Sequence, residues 1–201
     1  MKTELQQQID FILEIDKLKK INRRTYLLDE SRTENTAEHS WHIAVAAMLL
    51  APAHREIDVF HVVKMLLVHD IVEIDAGDTF LYDEAATAAK QDREKEAADR
   101  LFNILPANQA KEFRALWDEF EERVTPEAKF ARGLDRFMPL MHNYFTQGST
   151  WREHGVTVDE VYKYNRIISD ASSELWEEAQ SLIESAVEKG YLKKTSPESD
   201  S

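Results

Sequence analysis

The chain contains no cysteine, and this absence excludes several kinds of chemistry. Disulfide bonds, thiolate zinc sites, iron–sulfur clusters and catalytic thiols all require cysteine. Any bound metal ion must therefore be held by nitrogen and oxygen atoms. The lack of cysteine also suits a reducing compartment, so we expect a cytoplasmic protein.

Long apolar runs are also missing. No window approaches the roughly 20 apolar residues of a membrane span, and residues 1–20 lack the apolar core of a signal peptide. We therefore expect no membrane partner.

Positive charge is scarce, since the formal net charge is −13. Binding to a nucleic-acid polymer requires many Lys and Arg side chains that neutralise phosphates, so we expect no such partner. An anionic ligand would need a local basic site. Arg23, Arg24 and Arg32 provide one candidate, and they all lie shortly before His39.

Only five glycines and five prolines occur, and apolar residues recur at spacings of three and four. This pattern predicts an all-α fold, which suits a single-domain helical bundle of 201 residues. We expect the domain to span 1–192 and to be followed by a disordered tail at 193–201. The predicted helices are 4–19, 36–50 with Thr36 as N-cap, 58–74 with Asp58 as N-cap, 83–105, 107–123, 126–147 and 157–189.

A cluster of polar residues ends the most apolar predicted helix. His69, Asp70 and Glu73 lie at about 0°, 100° and 40° around a helix axis, so their side chains share one sector. A polar helix end would be the simplest alternative, but carboxylates near a helix C-terminus oppose the helix dipole. The cluster therefore favours a metal or catalytic site.

Asp135 lies on the predicted packing face of a later helix, one turn before Pro139. Pro139 lacks the amide that would bond to the Asp135 carbonyl, which loosens the helix at this aspartate. His39 lies in the first turn of an earlier helix and carries little weight on its own. A shared metal ion would compensate the burial of all these polar groups.

In order and spacing, His39, His69-Asp70 and Asp135 resemble the H…HD…D signature of the HD-domain metal-dependent phosphohydrolases. The segments Ile21-Asn22-Arg23, Arg32-Thr33-Glu34-Asn35 and Leu67-Val68-His69-Asp70 are similar to the branch containing 5′-deoxynucleotidases. The resemblance covers roughly residues 9–185.

This resemblance implies that His39, His69, Asp70 and Asp135 hold one divalent ion, which can be Co, Mn, Mg, Fe or Zn. It implies that Glu73 and Asp78 assist catalysis or hold a second ion, and that Arg23 binds the phosphate of a nucleoside 5′-monophosphate. Water activated at the ion would attack the phosphorus. The resemblance and the aromatic residues of the last helices also lead us to expect a homodimer.

Several alternatives stay open. Arg24 is an alternative phosphate ligand, and Tyr26 is a candidate aromatic wall for the substrate. The chain could also act on another phosphate ester, or serve as a non-catalytic, metal-bearing dimerisation module.

Further polar residues have simpler interpretations. We expect His42 and His142 to be structural or to support the site from outside the ligand set. We expect Glu94 and Glu96 to lie on a solvated helix face.

Overall fold

The computed structural model describes residues 2–51, 57–83 and 90–194, and the chain is 72% helical. This confirms the all-α prediction. In the ranges described, no helix combines the length and the apolar character that crossing a membrane requires. Part of the predicted helix 83–105 and most of the predicted tail lie outside the described residues.

The described helices are numbered in chain order, with two 3-10 helices and one small hairpin between them. They are α1 (Glu4–Ile15), a 3-10 helix (Asp16–Lys20), β1 (Asn22–Tyr26), β2 (Thr33–Asn35), α2 (Thr36–Leu50), α3 (Val59–Val68), α4 (Glu73–Ala76), α5 (Lys90–Phe102), α6 (Ala107–Glu122), α7 (Pro126–Phe145), α8 (Ser149–His154), α9 (Val158–Asn165), a second 3-10 helix (Arg166–Asp170) and α10 (Ser173–Glu188).

The hairpin of β1 and β2 occupies a segment that showed no regular pattern in the sequence. The strands are antiparallel, with Asn22 opposite Asn35 and Tyr26 opposite Thr33. Successive side chains of a strand point to opposite faces. The half-buried Arg23 therefore faces the interior of the molecule, whereas Arg24 is exposed.

The predicted N-cap at Thr36 is wrong, because Asn35 caps α2. The Asn35 side chain accepts a hydrogen bond from the amide of Glu38, and the Glu38 side chain accepts one from the amide of Asn35. This reciprocal pair is a capping box. The hydroxyl of Thr36 is therefore not used for capping and can form hydrogen bonds inside the protein. The predicted N-cap at Asp58 is confirmed, since its side chain accepts from two amides of α3.

Two predicted helices are interrupted. The helix predicted at 58–74 ends at Val68. Before α4 begins, the chain forms turns with hydrogen bonds between residues three apart, such as the one from the amide of Glu73 to the carbonyl of Asp70. The helix predicted at 157–189 divides into α9, a 3-10 helix and α10, because the buried Ser172 caps a new start. Lys193, in the predicted tail, accepts a backbone hydrogen bond from Val158.

Helix α7 lies between two apolar clusters. Its residues Phe130 and Leu134 belong to a cluster formed with α2, α3, α5 and α6, whereas Phe137 and Leu140 pack against α8 to α10. Packing on both faces explains why so many α7 side chains are buried. Asp135 lies between these two cores, so its carboxylate is held within the fold.

Candidate metal centre and adjoining cleft

The four predicted metal ligands lie together in the fold although they are far apart in sequence. The Nε2 atom of His39 on α2 lies 3.1 Å from Oδ1 of Asp135 on α7. The Nε2 atom of His69, which directly follows α3, lies 3.1 Å from Oδ1 of Asp70 and 3.8 Å from Oδ1 of Asp135. Ligand atoms of His39, His69 and Asp70 all lie within 4.8 Å of one another.

Both imidazole rings are oriented by contacts at their other nitrogen. Nδ1 of His69 lies 2.8 Å from the carbonyl oxygen of Leu66, and since a carbonyl only accepts, Nδ1 carries the hydrogen. Nδ1 of His39 lies 3.3 Å from a carboxylate oxygen of the buried Glu34, a close contact that is not aligned as a hydrogen bond. Support of this kind is typical of metal-bound histidines. It turns the Nε2 atoms of both rings towards the two aspartates.

The donor set fits a divalent cation. Nε2 of His69 is buried and has no hydrogen-bond partner among the described residues, although carboxylate oxygens surround it. A neutral ring would present a lone pair to these anionic oxygens, so the nitrogen must either bind a proton or share a cation with the carboxylates. Two imidazole nitrogens and two carboxylates suit borderline and hard divalent ions.

The electrostatics of the group show how strongly its members interact. Burial alone would lower the pKa of His69, but the carboxylates of Asp70 and Asp135 raise it to about 10. Burial also opposes ionisation of Asp70, yet His69 and Arg23 bring the pKa of its carboxyl below the usual value. Strongly shifted pKa values of this kind cluster at functional sites.

Arg23 lies beside this group and joins several carboxylates. Its Nη1 atom lies 3.0 Å from Asp70 and 3.9 Å from Asp78, and its Nε atom lies 3.4 Å from Glu34. Arg23 is therefore fixed at the boundary between the metal centre and the space beyond it. Of the two arginines of β1, it is the one that reaches the predicted ligands.

Glu73 and Asp78 both interact electrostatically with Arg23 and Asp70. Burial and the nearby charge of Asp70 raise the pKa of Glu73 well above its usual value. Burial also raises the pKa of Asp78, with Arg23 opposing the shift and Asp70 adding to it. The Glu73 carboxylate accepts a hydrogen bond of 2.9 Å from the hydroxyl of Thr36.

Two residues near the centre carried too little sequence signal to be found. Arg132 lies 3.4 Å from Oδ2 of Asp135 and stacks over the ring of Phe120. Glu94 is buried, so the prediction that it lies on a solvated face is wrong, whereas the same prediction for Glu96 is confirmed. Burial raises the pKa of Glu94, and Lys90 lies 3.2 Å from its carboxylate.

A cleft of about 530 Å³, including its open mouth, adjoins the centre. One wall is a face of α7 and another is the segment that follows α4. The residues that line it include three arginines, one aspartate, two aromatic residues and two asparagines, which are Arg23, Arg24, Arg136, Asp78, Phe80, Tyr82, Asn143 and Asn165. Arg136 is a further residue that the sequence interpretation did not select.

Other predicted residues lie elsewhere. Arg32 is exposed and forms a bidentate ion pair with Glu38, with distances of 2.8 and 2.6 Å, so the structure does not bring it to the cleft. The hydroxyl of Tyr26 donates to Glu153, and Tyr26 is not among the described residues that line the cleft. Phe80 and Tyr82 provide the aromatic surface instead.

His42 and His142 form a pair next to the metal centre. Their ring centroids are 5.4 Å apart, and Nδ1 of His142 lies 3.1 Å from the carbonyl oxygen of Tyr26. Burial lowers the pKa of His42, with His142 adding to the effect. Neither ring belongs to the group of potential metal ligands identified in the described part of the chain.

Residues 15–176 match the family model described as HD domain. The crystal structure of a predicted metal-dependent phosphohydrolase from Magnetospirillum magnetotacticum MS-1 is 52% identical, with a TM-score of 0.90 over 94% of this chain and 95% of that chain. The 5′-deoxynucleotidase HDDC2 of Xenopus laevis is 32% identical over 129 residues, covering 64% of this chain and 63% of the relative. The human protein of that name is 31% identical over 129 residues, covering 64% of this chain and 62% of the relative.

The alignments thus span less than two thirds of these two relatives' own length. The structural match spans almost the whole of both chains. Together with the family model, it confirms the resemblance inferred from the His and Asp signature. The protein belongs to the HD domain family.

Proposed function

We propose that this protein is a metal-dependent phosphohydrolase that removes phosphate from nucleoside or deoxynucleoside 5′-monophosphates. The observation that carries the proposal is the convergence of two imidazoles and two carboxylates next to a cleft lined by three arginines. The names of the amphibian and human relatives, both 5′-deoxynucleotidases, support the same reaction class.

In this proposal His39, His69, Asp70 and Asp135 hold one divalent ion. Their nitrogen and oxygen donors are compatible with Co²⁺, Mn²⁺, Mg²⁺, Fe²⁺ or Zn²⁺. When bound, such an ion supplies Lewis acidity towards a phosphoryl oxygen and lowers the pKa of a coordinated water.

The remaining polar side chains bind the phosphate and handle protons. Arg23 presents its guanidinium to the cleft and is fixed there by Asp70 and Glu34. It can therefore contact phosphate oxygens without losing its orientation. Glu73 keeps its proton to a higher pH than an ordinary carboxyl, which suits proton donation to the leaving 5′ oxygen. Asp78 lies 3.9 Å from Arg23 and assists at the same boundary.

The cleft also has features that suit a nucleoside. Phe80 and Tyr82 offer aromatic surface, and the side chains of Asn143 and Asn165 can form hydrogen bonds with polar groups. Thr150 lines the cleft too, and its hydroxyl is already bound to the carbonyl of Arg24.

The test is phosphate release from a panel of ribo- and deoxyribonucleoside 5′-monophosphates with Mg²⁺, Mn²⁺ or Co²⁺. Asp70→Asn should reduce the rate by at least about 100-fold, because it removes a negatively charged ligand. Asp92→Asn is the matched control, since Asp92 is exposed on α5. If no monophosphate is hydrolysed with any ion, or if Asp70→Asn is as active as the control, the proposal fails.

We further propose that the protein is a cytoplasmic homodimer. Support for self-association comes from apolar side chains exposed on two helices at the same helical spacing. They are Leu5, Ile9, Ile12 and Leu13 on α1, and Trp41, Val45, Met48 and Leu49 on α2. Contiguous exposed apolar surface is typical of interaction sites.

Analytical ultracentrifugation tests the dimer. Met48→Glu places a charge on the α2 stripe and should shift the sedimentation coefficient to that of a monomer. Lys129→Glu also introduces a glutamate on an exposed helix position and should leave the dimer intact. A monomeric wild-type protein at micromolar concentration would contradict the proposal.

A further inference from the structure

Arg136 directly follows the predicted metal ligand Asp135 on α7, and its side chain lines the cleft. Pro139, Leu140 and Asn143 line the same wall. Spacings of three, four and seven residues place all four positions on one face of the helix. The helix that contributes Asp135 to the centre therefore also presents a guanidinium to the space beside it.

Arg136 differs from the other arginines around the centre in its partners. Arg23 forms an ion pair of 3.0 Å with Asp70, and Arg132 lies 3.4 Å from Asp135. Within the described ranges, no carboxylate lies at ion-pair distance from the guanidinium of Arg136. Its donors are therefore available to a ligand, whereas those of Arg23 are partly used.

The position of Arg136 makes an anionic ligand favourable. Its side chain is partly buried, and a cation that has lost water is costly unless an anion compensates it. Three arginines and one aspartate line the cleft, although the chain as a whole has a net charge of −13. A guanidinium matches two phosphate oxygens with two parallel hydrogen bonds.

We propose that Arg136 is a second phosphate-binding residue, which contacts the phosphate group of the substrate directly alongside Arg23. The identity of the substrate rests on the proposed function, but the binding of a phosphate group by Arg136 does not. Arg136 thus contributes affinity for the phosphate, while Arg23 also links the phosphate site to the metal centre.

The experiment is isothermal titration of inorganic phosphate into the full-length protein and its variants Arg136→Gln, Arg136→Lys and Lys129→Gln. Lys129 is the matched control because it is an exposed cation on the same helix. Metal content by elemental analysis and circular dichroism are measured on every variant. KM and kcat are measured with whichever monophosphate the wild-type protein hydrolyses fastest.

Arg136→Gln should weaken phosphate binding by at least about tenfold, which is the loss expected for a charge-assisted hydrogen bond. Arg136→Lys keeps the charge but loses the planar fork, so it should weaken binding less than Arg136→Gln and more than Lys129→Gln. Metal content should be unchanged. If Arg136→Gln does not fold, the comparison of Arg136→Lys with the control decides.

Unchanged phosphate affinity in the Arg136 variants would overturn the proposal. An equal loss in Lys129→Gln would do so as well, since the effect would then be one of overall charge. A parallel loss of metal would show instead that Arg136 acts through Asp135. If no monophosphate is hydrolysed but phosphate binding depends on Arg136, only the nucleotidase function is rejected.

Discussion

The hydroxyl of Thr36 donates a hydrogen bond of 2.9 Å to the carboxylate of Glu73, and both residues are buried. Thr36 is the first residue of α2 and Glu73 the first of α4, so the bond joins the beginnings of two helices. It is available because Asn35, rather than Thr36, caps α2. The capping box thus leaves the Thr36 hydroxyl available to Glu73, with the carbonyl of Ile21 as a second acceptor at 3.3 Å.

Thr36→Val should lower both stability and activity. Valine has a similar shape but leaves the buried Glu73 without its donor, which costs about 1–3 kcal/mol in the free energy of unfolding. If Glu73 transfers a proton, kcat should fall more than KM rises.

Urea denaturation and steady-state kinetics measure these two effects. Thr36→Ser is the control, since it retains the hydroxyl. Equal behaviour of the Val and Ser variants would show that the bond contributes neither to stability nor to catalysis.

Glu34→Gln should weaken metal binding while leaving all four proposed ligands in place. A carboxylate oxygen of Glu34 lies 3.3 Å from Nδ1 of His39 and 3.4 Å from Nε of Arg23. Loss of its charge should make the His39 imidazole a poorer and less oriented ligand. Changes at residues that support metal ligands typically cost about 10–100-fold in affinity.

Direct titration with Mn²⁺ measures this affinity, with Glu122→Gln as control because Glu122 is exposed at the end of α6. A normal Mn²⁺ dissociation constant in Glu34→Gln would mean that Glu34 does not support His39.

Metal removal should destabilise the protein. Asp135 and Glu73 are buried and interact electrostatically with Asp70, and a bound cation would offset their mutual repulsion. An ion present at 100 times its dissociation constant stabilises the folded state by about 2.7 kcal/mol. For a chain of this size, that corresponds to a rise in Tm of roughly 5–10 °C.

Differential scanning calorimetry with a chelator, and then with added Mn²⁺, tests this expectation. Asp70→Asn should show little response to either addition. A wild-type Tm that is the same with and without metal would contradict it.

His69, Asp70 and Asp135 were accessible from the sequence because they are polar residues in apolar helical contexts. His39 gained weight only from its place in the H…HD…D order, and its proximity to Asp135 agrees with that order. Helical periodicity also identified most helices, because apolar faces must be buried.

Residues whose burial depends on tertiary packing could not be found in this way. Glu94 lies in a highly charged segment, and only the packing of α5 encloses it. Arg136 has an ordinary local context, and its role emerges only from the cleft that α7 forms with the segment after α4. The hairpin of β1 and β2 is too short and irregular for an alternating pattern to reveal it.

Gly133 on α7 allows a close approach of the segment before α10, and Gly133→Ala should therefore destabilise the fold. A Cβ atom at Gly133 would lie 2.3 Å from the Cβ atom of Ala171. Alanine is favoured over glycine within a helix by about 1 kcal/mol. Overpacking of a buried contact costs about 1–3 kcal/mol, and here relief requires a backbone shift, so we expect a net loss of stability.

The double variant Gly133→Ala with Ala171→Gly removes the overlapping methyl group and should recover most of that loss. Thermal unfolding of the two single variants and the double variant forms a double-mutant cycle, in which contacting residues show a favourable coupling energy. Additive effects would mean that α7 does not pack against Ala171 at this distance. Because Asp135 follows Gly133 by two residues, a shift of α7 should also reduce metal content in Gly133→Ala, and the double variant should restore it.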